Sequence, residues 1–301
     1  MFAMGQANGW RIAATFLLAC AALTPLTGWA QTNPLGLPEK SVSNQGTLMI
    51  CGGGLLPDEI YQEFVRLAGG SGAKIILIPS AKKFESQSHL QNRFSRWNNF
   101  EKASFQFLDT DSRDQADSDD FIRPLVEATG VWISGGEQGR LANLYNGTKV
   151  EAALRQVLER GGVVAGTSAG AAIMSRVMIH HGSAAKAVVD RGFGLVEQVV
   201  VDQHFSQRAR HTRLIGVLEN HPQLIGLGVD EGTSVLVRGN HLRVLGNSQA
   251  TIFTSQDEQR GRQVYHLRAD DEAQVIVRGP ATKDPQQQQQ LMAVLQAKRE
   301  Q

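Results

Sequence analysis

A serine between two glycines is the strongest candidate for chemistry in this sequence. Residues 166–170 follow the pattern G-x-S-x-G, with Ser168 at its centre. The apolar run 162–165 comes before the pattern and the helix-forming residues 171–174 come after it, which predicts a strand, a sharp turn and a helix. Such a turn exposes the serine hydroxyl as a nucleophile and directs the backbone N–H of Ala169 toward a developing oxyanion. The alternative is a serine that only caps a helix.

A serine hydroxyl becomes nucleophilic beside a base, and the base in turn needs an acid that orients it. His204 follows a run of valines, and Glu231 follows a second apolar run. Because the carboxyl ends of parallel strands share one edge of an open α/β sheet, we expect Ser168, His204 and Glu231 to converge. Asp230 competes with Glu231 for the role of the acid, and spacing alone does not separate them. The order Ser, His, acid differs from the α/β-hydrolase order.

Four further histidines compete with His204 for the role of the base. Their polar, arginine-rich or proline-flanked surroundings predict solvated surface side chains. These residues are His180, His181, His211 and His221. Cys51 lies in an apolar run, so we expect it to be a small buried side chain rather than a thiol nucleophile.

The segment that carries these residues alternates short apolar runs with helical patterns. The predicted strands are 47–51, 74–79, 105–108, 130–134 and 162–166. The predicted helices are 57–68 and 88–102, with further helices after Gly139 and from Ser168. Continuous apolar strands between amphipathic helices indicate an α/β fold with a doubly wound, mostly parallel sheet.

After residue 230 the pattern changes to short strands separated by turns, which we expect to be antiparallel strands that extend the sheet or form a small appendage. These runs are 234–238, 241–245, 263–267 and 273–278. The α/β domain is therefore predicted to span residues 46–280. The Gln-rich tail, residues 281–301, is expected to end in a frayed helix.

The first thirty residues have the pattern of a secretory signal peptide. Arg11 precedes an apolar stretch, 12–26, and Gly28 and Ala30 are small residues at the two positions that a signal peptidase reads. The sequence therefore predicts cleavage after Ala30 and a periplasmic or extracellular protein. A retained membrane anchor is the weaker alternative, because the run is short for a span of ~20 residues.

Lipidation at Cys20 is a second alternative, and the apolar run that continues past this residue disfavours it. Residues 31–45 are predicted to be a linker. After cleavage Cys51 is the only cysteine left, so no intramolecular disulfide is expected. The chain has 301 residues, of which 42% are hydrophobic, and a formal net charge of +1. This balance predicts a globular domain, without an electrostatic bias toward nucleic acid or an anionic membrane.

Four motifs in order strongly resemble the cyanophycinases, a serine peptidase family that includes the aspartyl dipeptidases. They are residues 133–138, 166–171, 202–205 with the arginines that follow, and 228–233. The resemblance covers residues 47–238. It implies a flavodoxin-like sheet similar to that of class I glutamine amidotransferases, often in a homodimer, and no metal or organic cofactor.

The resemblance also implies a role for individual residues. Ser168 matches the family nucleophile, His204 the general base and Glu231 the acid of the triad. The N–H groups of Gly136 and Ala169 match the oxyanion hole. The residues that match the substrate pocket are Gln138, Asp202, Gln203, Arg208, Arg210 and Arg213.

Cyanophycinases cleave a polymer with a poly-aspartate backbone and an arginine on each β-carboxyl group, so the resemblance implies a peptide substrate of this kind. The pocket arginines would bind carboxylates, and Asp202 or Glu137 would meet a guanidinium. Glu137 departs from the family, which commonly has Asp at this position, and residues 179–191 match no family signature. Both departures concern the choice of substrate.

Three other functions are weighed against this one. An aspartyl or isoaspartyl dipeptidase would use the same triad on another substrate. A non-catalytic exported binding protein would keep the scaffold, although the intact triad argues against it. A glutamine amidotransferase is disfavoured, because those enzymes use Cys where this chain has Ser168.

Overall fold

The structure is a computed structural model that describes residues 46–100, 103–183, 186–257, 261–276 and 294–298. The predicted signal peptide, the predicted linker and the glutamine run lie outside the described residues. No helix within the described ranges is long and apolar enough to cross a membrane.

Five parallel strands form one half of a nine-stranded sheet. They are β1 (Thr47–Cys51), β2 (Lys74–Ile78), β3 (Ser104–Phe107), β4 (Gly130–Ile133) and β5 (Val163–Thr167). They pair in the order β1-β5-β4-β2-β3. Every residue of β1 and of β4 is buried, as expected for strands that are covered on both faces. The five predicted strands are therefore confirmed.

Eight helices are present among the described residues, and the longer ones cover the two faces of this sheet. They are α1 (Asp58–Leu67), α2 (Gln87–Arg93), α3 (Arg113–Ala116), α4 (Asp119–Glu127), α5 (Gln138–Tyr145), α6 (Lys149–Glu159), α7 (Ala169–Ala172) and α8 (His211–Asn220). On one face Phe64 of α1 packs edge-to-face against Trp97 and Trp132. On the other face α6 buries an apolar stripe that includes Leu154.

Antiparallel strands continue the sheet beyond β1, as the sequence predicts. They are β10 (Thr233–Arg238), β11 (His241–Gly246), β14 (Glu272–Ile276) and β15 (Val294–Lys298). The prediction of a frayed helix at the end of the tail is wrong for β15, which pairs with β14 in antiparallel register. An open strand edge offers a row of backbone partners, and pairing with it prevails over a helix-compatible sequence.

A second sheet of four strands was not predicted. Its strands are β8 (Val199–Gln203), β9 (Ile225–Val229), β12 (Gln249–Phe253) and β13 (Val264–Arg268), in the order β13-β12-β9-β8, and β8 and β9 are parallel. A separate two-stranded hairpin contains β6 (Val177–His181) and β7 (Val188–Arg191). The predicted strands 234–238, 241–245 and 273–278 therefore extend the main sheet, whereas the predicted strand 263–267 belongs to the second sheet, together with β8 and β9, which precede His204 and Glu231.

The segment after β1 joins the two sheets. The N–H of Gly52 donates to the carbonyl of Thr233, at 2.9 Å, and the carbonyl of Gly52 accepts from the N–H of His204, at 2.8 Å. The carboxyl ends of β5 and β8 therefore meet across this glycine rather than along one sheet edge.

Candidate active site

Ser168 lies in a strained turn between β5 and α7. Its φ of 54° and ψ of −113° are conformations that a residue with a side chain rarely adopts. The turn is held by the N–H of Ser168, which donates to the carbonyl of Cys51 at 3.0 Å, and by the Ser168 carbonyl, which accepts from Ala171 and Ala172. This strand, turn and short helix have the geometry of a nucleophile elbow.

The two glycines of the pattern are required by close backbone contacts. A Cβ atom on Gly166 would lie 2.1 Å from the carbonyl oxygen of Gly170, and one on Gly170 would lie 2.3 Å from the carbonyl oxygen of Ile133. Side chains at either position would therefore force the strand and the helix apart.

Ser168, His204 and Glu231 form one chain of hydrogen bonds. The Oγ atom of Ser168 is 2.8 Å from Nε2 of His204, and Nδ1 of His204 is 2.5 Å from Oε1 of Glu231. With the imidazole proton on Nδ1, the ring donates to Glu231 and Nε2 accepts from the serine hydroxyl. Such an arrangement supports nucleophilic attack by Ser168.

Asp230, the other candidate acid, is engaged elsewhere. Its side chain is buried and accepts from the N–H of Ser206 at 2.9 Å and from the hydroxyl of Ser248 at 2.8 Å. Asp230 therefore fixes the loop after β8, while Glu231 contacts the histidine.

Burial lowers the pKa of His204 below its ordinary value of 6.5. The hydrogen bond to Glu231 opposes this decrease, and the nearby charges of Arg208 and Arg210 reinforce it. Desolvation disfavours the charged imidazolium. The neutral imidazole, which is the form that accepts a proton, is therefore favoured at neutral pH.

Gly53 and Gly54 pack closely against the side chains of His204 and Glu231. The sequence alone had indicated no role for these two glycines. A Cβ atom on Gly53 would lie 2.5 Å from Cε1 and Nε2 of His204, and one on Gly54 would lie 2.7 Å from Oε2 of Glu231. Their φ values are 98° and 68°. The signal in the sequence was the run of three glycines after β1.

The predicted pocket residues Asp202 and Arg213 are paired with each other. Asp202 is 1% exposed and Arg213 is 7% exposed. Nε of Arg213 donates to Oδ2 of Asp202 at 2.9 Å, and a second nitrogen donates to Oδ1. Burial raises the pKa of Asp202, and the Arg213 guanidinium opposes the rise. Because this pair satisfies both charges inside the protein, the arrangement does not favour their direct contact with a substrate.

Gln203 and Arg210 contact each other, whereas Arg208 is exposed. Nη1 of Arg210 donates to the carbonyl of Gln203 at 2.6 Å and to its Oε1 at 2.9 Å, and the same Oε1 is 3.5 Å from Oγ of Ser168. Arg208 is exposed, and its charge acts on His204. The side chain of Arg208 makes no hydrogen bond or ion pair with the described residues, so its guanidinium is free to bind a ligand.

The predicted oxyanion donors belong to two segments next to Ser168, namely the turn after β4 and the start of α7. A Cβ atom on Gly135 would be 3.1 Å from Cβ of Ser168, so the turn with Gly136 packs against the serine. Within the described residues, the N–H groups of Gly136 and Ala169 donate to no protein acceptor. Nε2 of Gln138 donates to the carbonyls of Ile179, at 3.0 Å, and of His180, at 2.5 Å. Gln138 thereby ties α5 to β6.

None of the four histidines that compete with His204 makes a hydrogen bond with Ser168, and of these four only His181 is exposed. His180 is half-buried, and its Nε2 lies 2.1 Å from where a Cβ atom on Gly139 would be. The ring of His211 is 4.4 Å from that of Phe205. The prediction of solvated side chains is therefore wrong for His180 and His211, because each packs against a neighbour from a distant part of the sequence.

A cavity of about 660 Å³ adjoins the turn of Gly136. It is lined by polar and charged side chains, among them Asp111, Glu137, Gln138, Arg140, His180 and His181. The residues that the structure describes contain no group of three or more His, Cys, Asp or Glu side chains that could hold a metal ion.

A mixed α/β fold with a serine in a strained elbow, next to a histidine, defines a serine-type hydrolase. Residues 48–245 match peptidase family S51. The chain therefore belongs to this family and is a serine-type, cyanophycinase-like peptidase, which confirms the predicted family and enzyme class.

Cyanophycinases are among the relatives that the chain resembles in sequence. The chain is 36% identical over 207 residues to that of Geminocystis herdmanii, covering 66% of this chain and 75% of the relative. It is 38% identical over 204 residues to that of Trichormus variabilis, covering 64% and 67%. It is 34% identical over 226 residues to that of Synechococcus elongatus, covering 71% and 70%.

A solved structure supports the fold. A peptidase from an acI-B1 actinobacterium superposes with a TM-score of 0.61 at 23% identity, covering 77% of this chain and 98% of the other. The predicted α/β, flavodoxin-like fold class is therefore confirmed.

Proposed function

We propose that this protein is an exported exopeptidase that hydrolyses cyanophycin or related β-aspartyl-arginine peptides through Ser168, His204 and Glu231. The proposal rests above all on the unbroken hydrogen-bond chain between these three side chains. Membership of a family whose similar relatives are cyanophycinases supports the choice of substrate.

The proposed reaction has two steps. Oγ of Ser168 attacks the carbonyl carbon of the scissile peptide bond while Nε2 of His204 accepts its proton, and Glu231 stabilises the imidazolium. The N–H groups of Gly136 and Ala169 donate to the oxyanion. The amine leaves with the proton from His204, and water, activated by the same imidazole, then hydrolyses the acyl-enzyme and regenerates the serine.

Arg208 is proposed to bind a substrate carboxylate. Its guanidinium is exposed, close to His204 and without a protein partner among the described residues, whereas Arg210 and Arg213 are held by Gln203 and Asp202. A carboxylate next to the scissile bond would form a charge-assisted hydrogen bond with Arg208. Arg210 and Arg213 are proposed to position Gln203 and Asp202 from behind.

The decisive experiment uses the Ser168→Ala variant of the mature protein. Wild type incubated with purified cyanophycin should release β-aspartyl-arginine, identified by mass, and Ser168→Ala should lower kcat by up to roughly 10⁶-fold. Ser71→Ala is the matched control, because Ser71 is an exposed serine outside the elbow. Hydrolysis by Ser168→Ala at the wild-type rate would exclude Ser168 as the nucleophile.

The same preparation separates the alternatives. An aspartyl or isoaspartyl dipeptidase would cleave short Asp-X or β-aspartyl peptides and leave the polymer intact. A non-catalytic binding protein would form no adduct between Ser168 and a fluorophosphonate. The intact hydrogen-bond chain disfavours the second alternative, because a site that has lost its activity has no need of it.

A further inference from the structure

The proposed triad does not explain the cavity beside the turn of Gly136. Its volume of about 660 Å³ falls within the range of roughly 300–1,000 Å³ that is typical of small-molecule sites. Gly136, Glu137, Gln138, His180 and His181 are among the residues that line it. Gly135, which directly precedes this lining segment, packs against Ser168, so the cavity lies beside the turn that contacts the elbow.

The other charged side chains that line the cavity already have hydrogen-bond partners in the protein. Asp111 accepts from Arg140 and lies 3.2 Å from the ammonium group of Lys83. The guanidinium of Arg113 donates to the carbonyls of Asn143, at 3.0 Å, and Asn146, at 2.5 Å. These groups shape the walls, and their capacity for further strong hydrogen bonds is reduced.

Glu137 is the exception among the charged residues of the cavity. It occupies the N-cap position of α5, but its side chain makes no capping hydrogen bond. It is exposed and has no hydrogen bond or ion pair with the part of the chain that the structure describes. Asp, the residue that the family commonly has here, is a preferred N-cap because its short side chain reaches back to the helix N–H groups. The extra methylene of Glu137 leaves its carboxylate available to the cavity.

We propose that Glu137 is a specificity-determining residue that binds the guanidinium of the substrate arginine within this cavity. The proposal rests on the proposed function and adds the residue that recognises the positive charge. Asp202, the other acid that the sequence suggested for this role, is buried and paired with Arg213. A guanidinium and a carboxylate form two parallel N–H···O bonds, which a neutral isostere cannot reproduce with the same strength.

The test compares two β-aspartyl peptides that differ only in arginine or citrulline, its neutral isostere. Wild type should prefer the arginine peptide by about tenfold or more in kcat/KM, since a hydrogen-bonded charge pair contributes on that order. Glu137→Gln should abolish most of this preference, mainly by lowering kcat/KM for the arginine peptide. Glu137→Asp should lose part of the preference, because its carboxylate would turn back toward the helix.

Two controls separate a specific role from a general one. Glu59→Gln, a change at an exposed acid on α1, should leave the preference unchanged. The rate of fluorophosphonate labelling at Ser168 should be the same in wild type and Glu137→Gln, which shows that the elbow is intact. Binding of β-aspartyl-arginine to Ser168→Ala, measured by calorimetry, should weaken about tenfold when Glu137→Gln is added.

An unchanged preference in Glu137→Gln would overturn the inference, and so would a wild type that does not discriminate arginine from citrulline. Failure of the proposed function gives a different result. Wild type would then cleave neither peptide, whether or not Ser168 reacts with the fluorophosphonate, and both proposals would fall.

Discussion

The imidazole of His204 is the group through which pH should control the proposed reaction. Because burial lowers the pKa of His204, the neutral base persists below pH 6.5, and it is lost only as pH falls through the lowered pKa. We therefore predict that kcat/KM is constant near pH 7 and that its acidic limb lies below pH 6.5. The measurement is the pH profile of kcat/KM, which reports the free enzyme.

Glu231→Gln extends this test. Glu231 raises the pKa of His204, so its removal should shift the acidic limb to still lower pH. The rate should also fall by up to about 10⁴-fold, because an amide no longer holds the required tautomer. An acidic limb that moved upward in this variant would contradict the assigned contact.

Gly53 offers a test of the support behind the histidine. A Cβ atom there would lie 2.5 Å from the His204 ring, so Gly53→Ala should displace the imidazole and lower kcat/KM by about 10²-fold. Gly70→Ala is the matched control, because Gly70 also has a positive φ but nothing within 4 Å of the added atom. Equal activity of both variants would exclude a role for this contact.

The ion pair of Asp202 and Arg213 connects two elements, because Asp202 lies near the end of β8 and Arg213 lies in α8. Arg213→Met removes the two short hydrogen bonds to the buried carboxylate and leaves it only the longer contact with Arg210, at 3.4 Å, so we predict a loss of about 3 kcal/mol in the free energy of unfolding. Urea denaturation measures this loss. Asp202→Asn combined with Arg213→Met should recover much of it, because no unpaired charge remains. A loss below about 1 kcal/mol in the single variant would contradict this prediction and indicate that Arg210 is sufficient to compensate the charge of Asp202.

The signal-peptide pattern of residues 1–30 predicts that the protein is exported. We expect the protein expressed in a bacterium with a secretory pathway to lose residues 1–30, and mass spectrometry should find Gln31 at the N-terminus. Ala30→Leu should block cleavage because a signal peptidase needs a small residue there, whereas Gln31→Ala should be processed normally. An unprocessed wild type, or one lipidated at Cys20, would contradict this prediction.

The homodimer that the family resemblance implies also stays a prediction. Light scattering of the mature protein would measure its mass in solution.

Several elements could be predicted from the sequence because their determinants are local. The strands β1 to β5 are continuous apolar runs that end in turn residues, and the elbow needs small residues at fixed spacing around Ser168. The second sheet escaped prediction because β12 reads as an ordinary short polar and apolar mixture, and only pairing with β9 makes it a strand. The strand β15 reads as a helix for the same reason, since its pairing partner is distant in the sequence.

The sequence by itself determined the α/β class, the nucleophile elbow and the residue types of a serine-type peptidase. It did so because periodicity, turn chemistry and motif order depend on neighbours within a few residues. The tertiary structure decided which acid contacts His204, that Gly53 and Gly54 lie behind the pair, and that Asp202 and Arg213 pair with each other. Among the residues that the structure describes, it also left the side chains of Glu137 and Arg208 without a hydrogen bond or ion pair. These outcomes depend on contacts between elements that only folding brings together, and hydrogen-bond partners of this kind have no signature in local sequence.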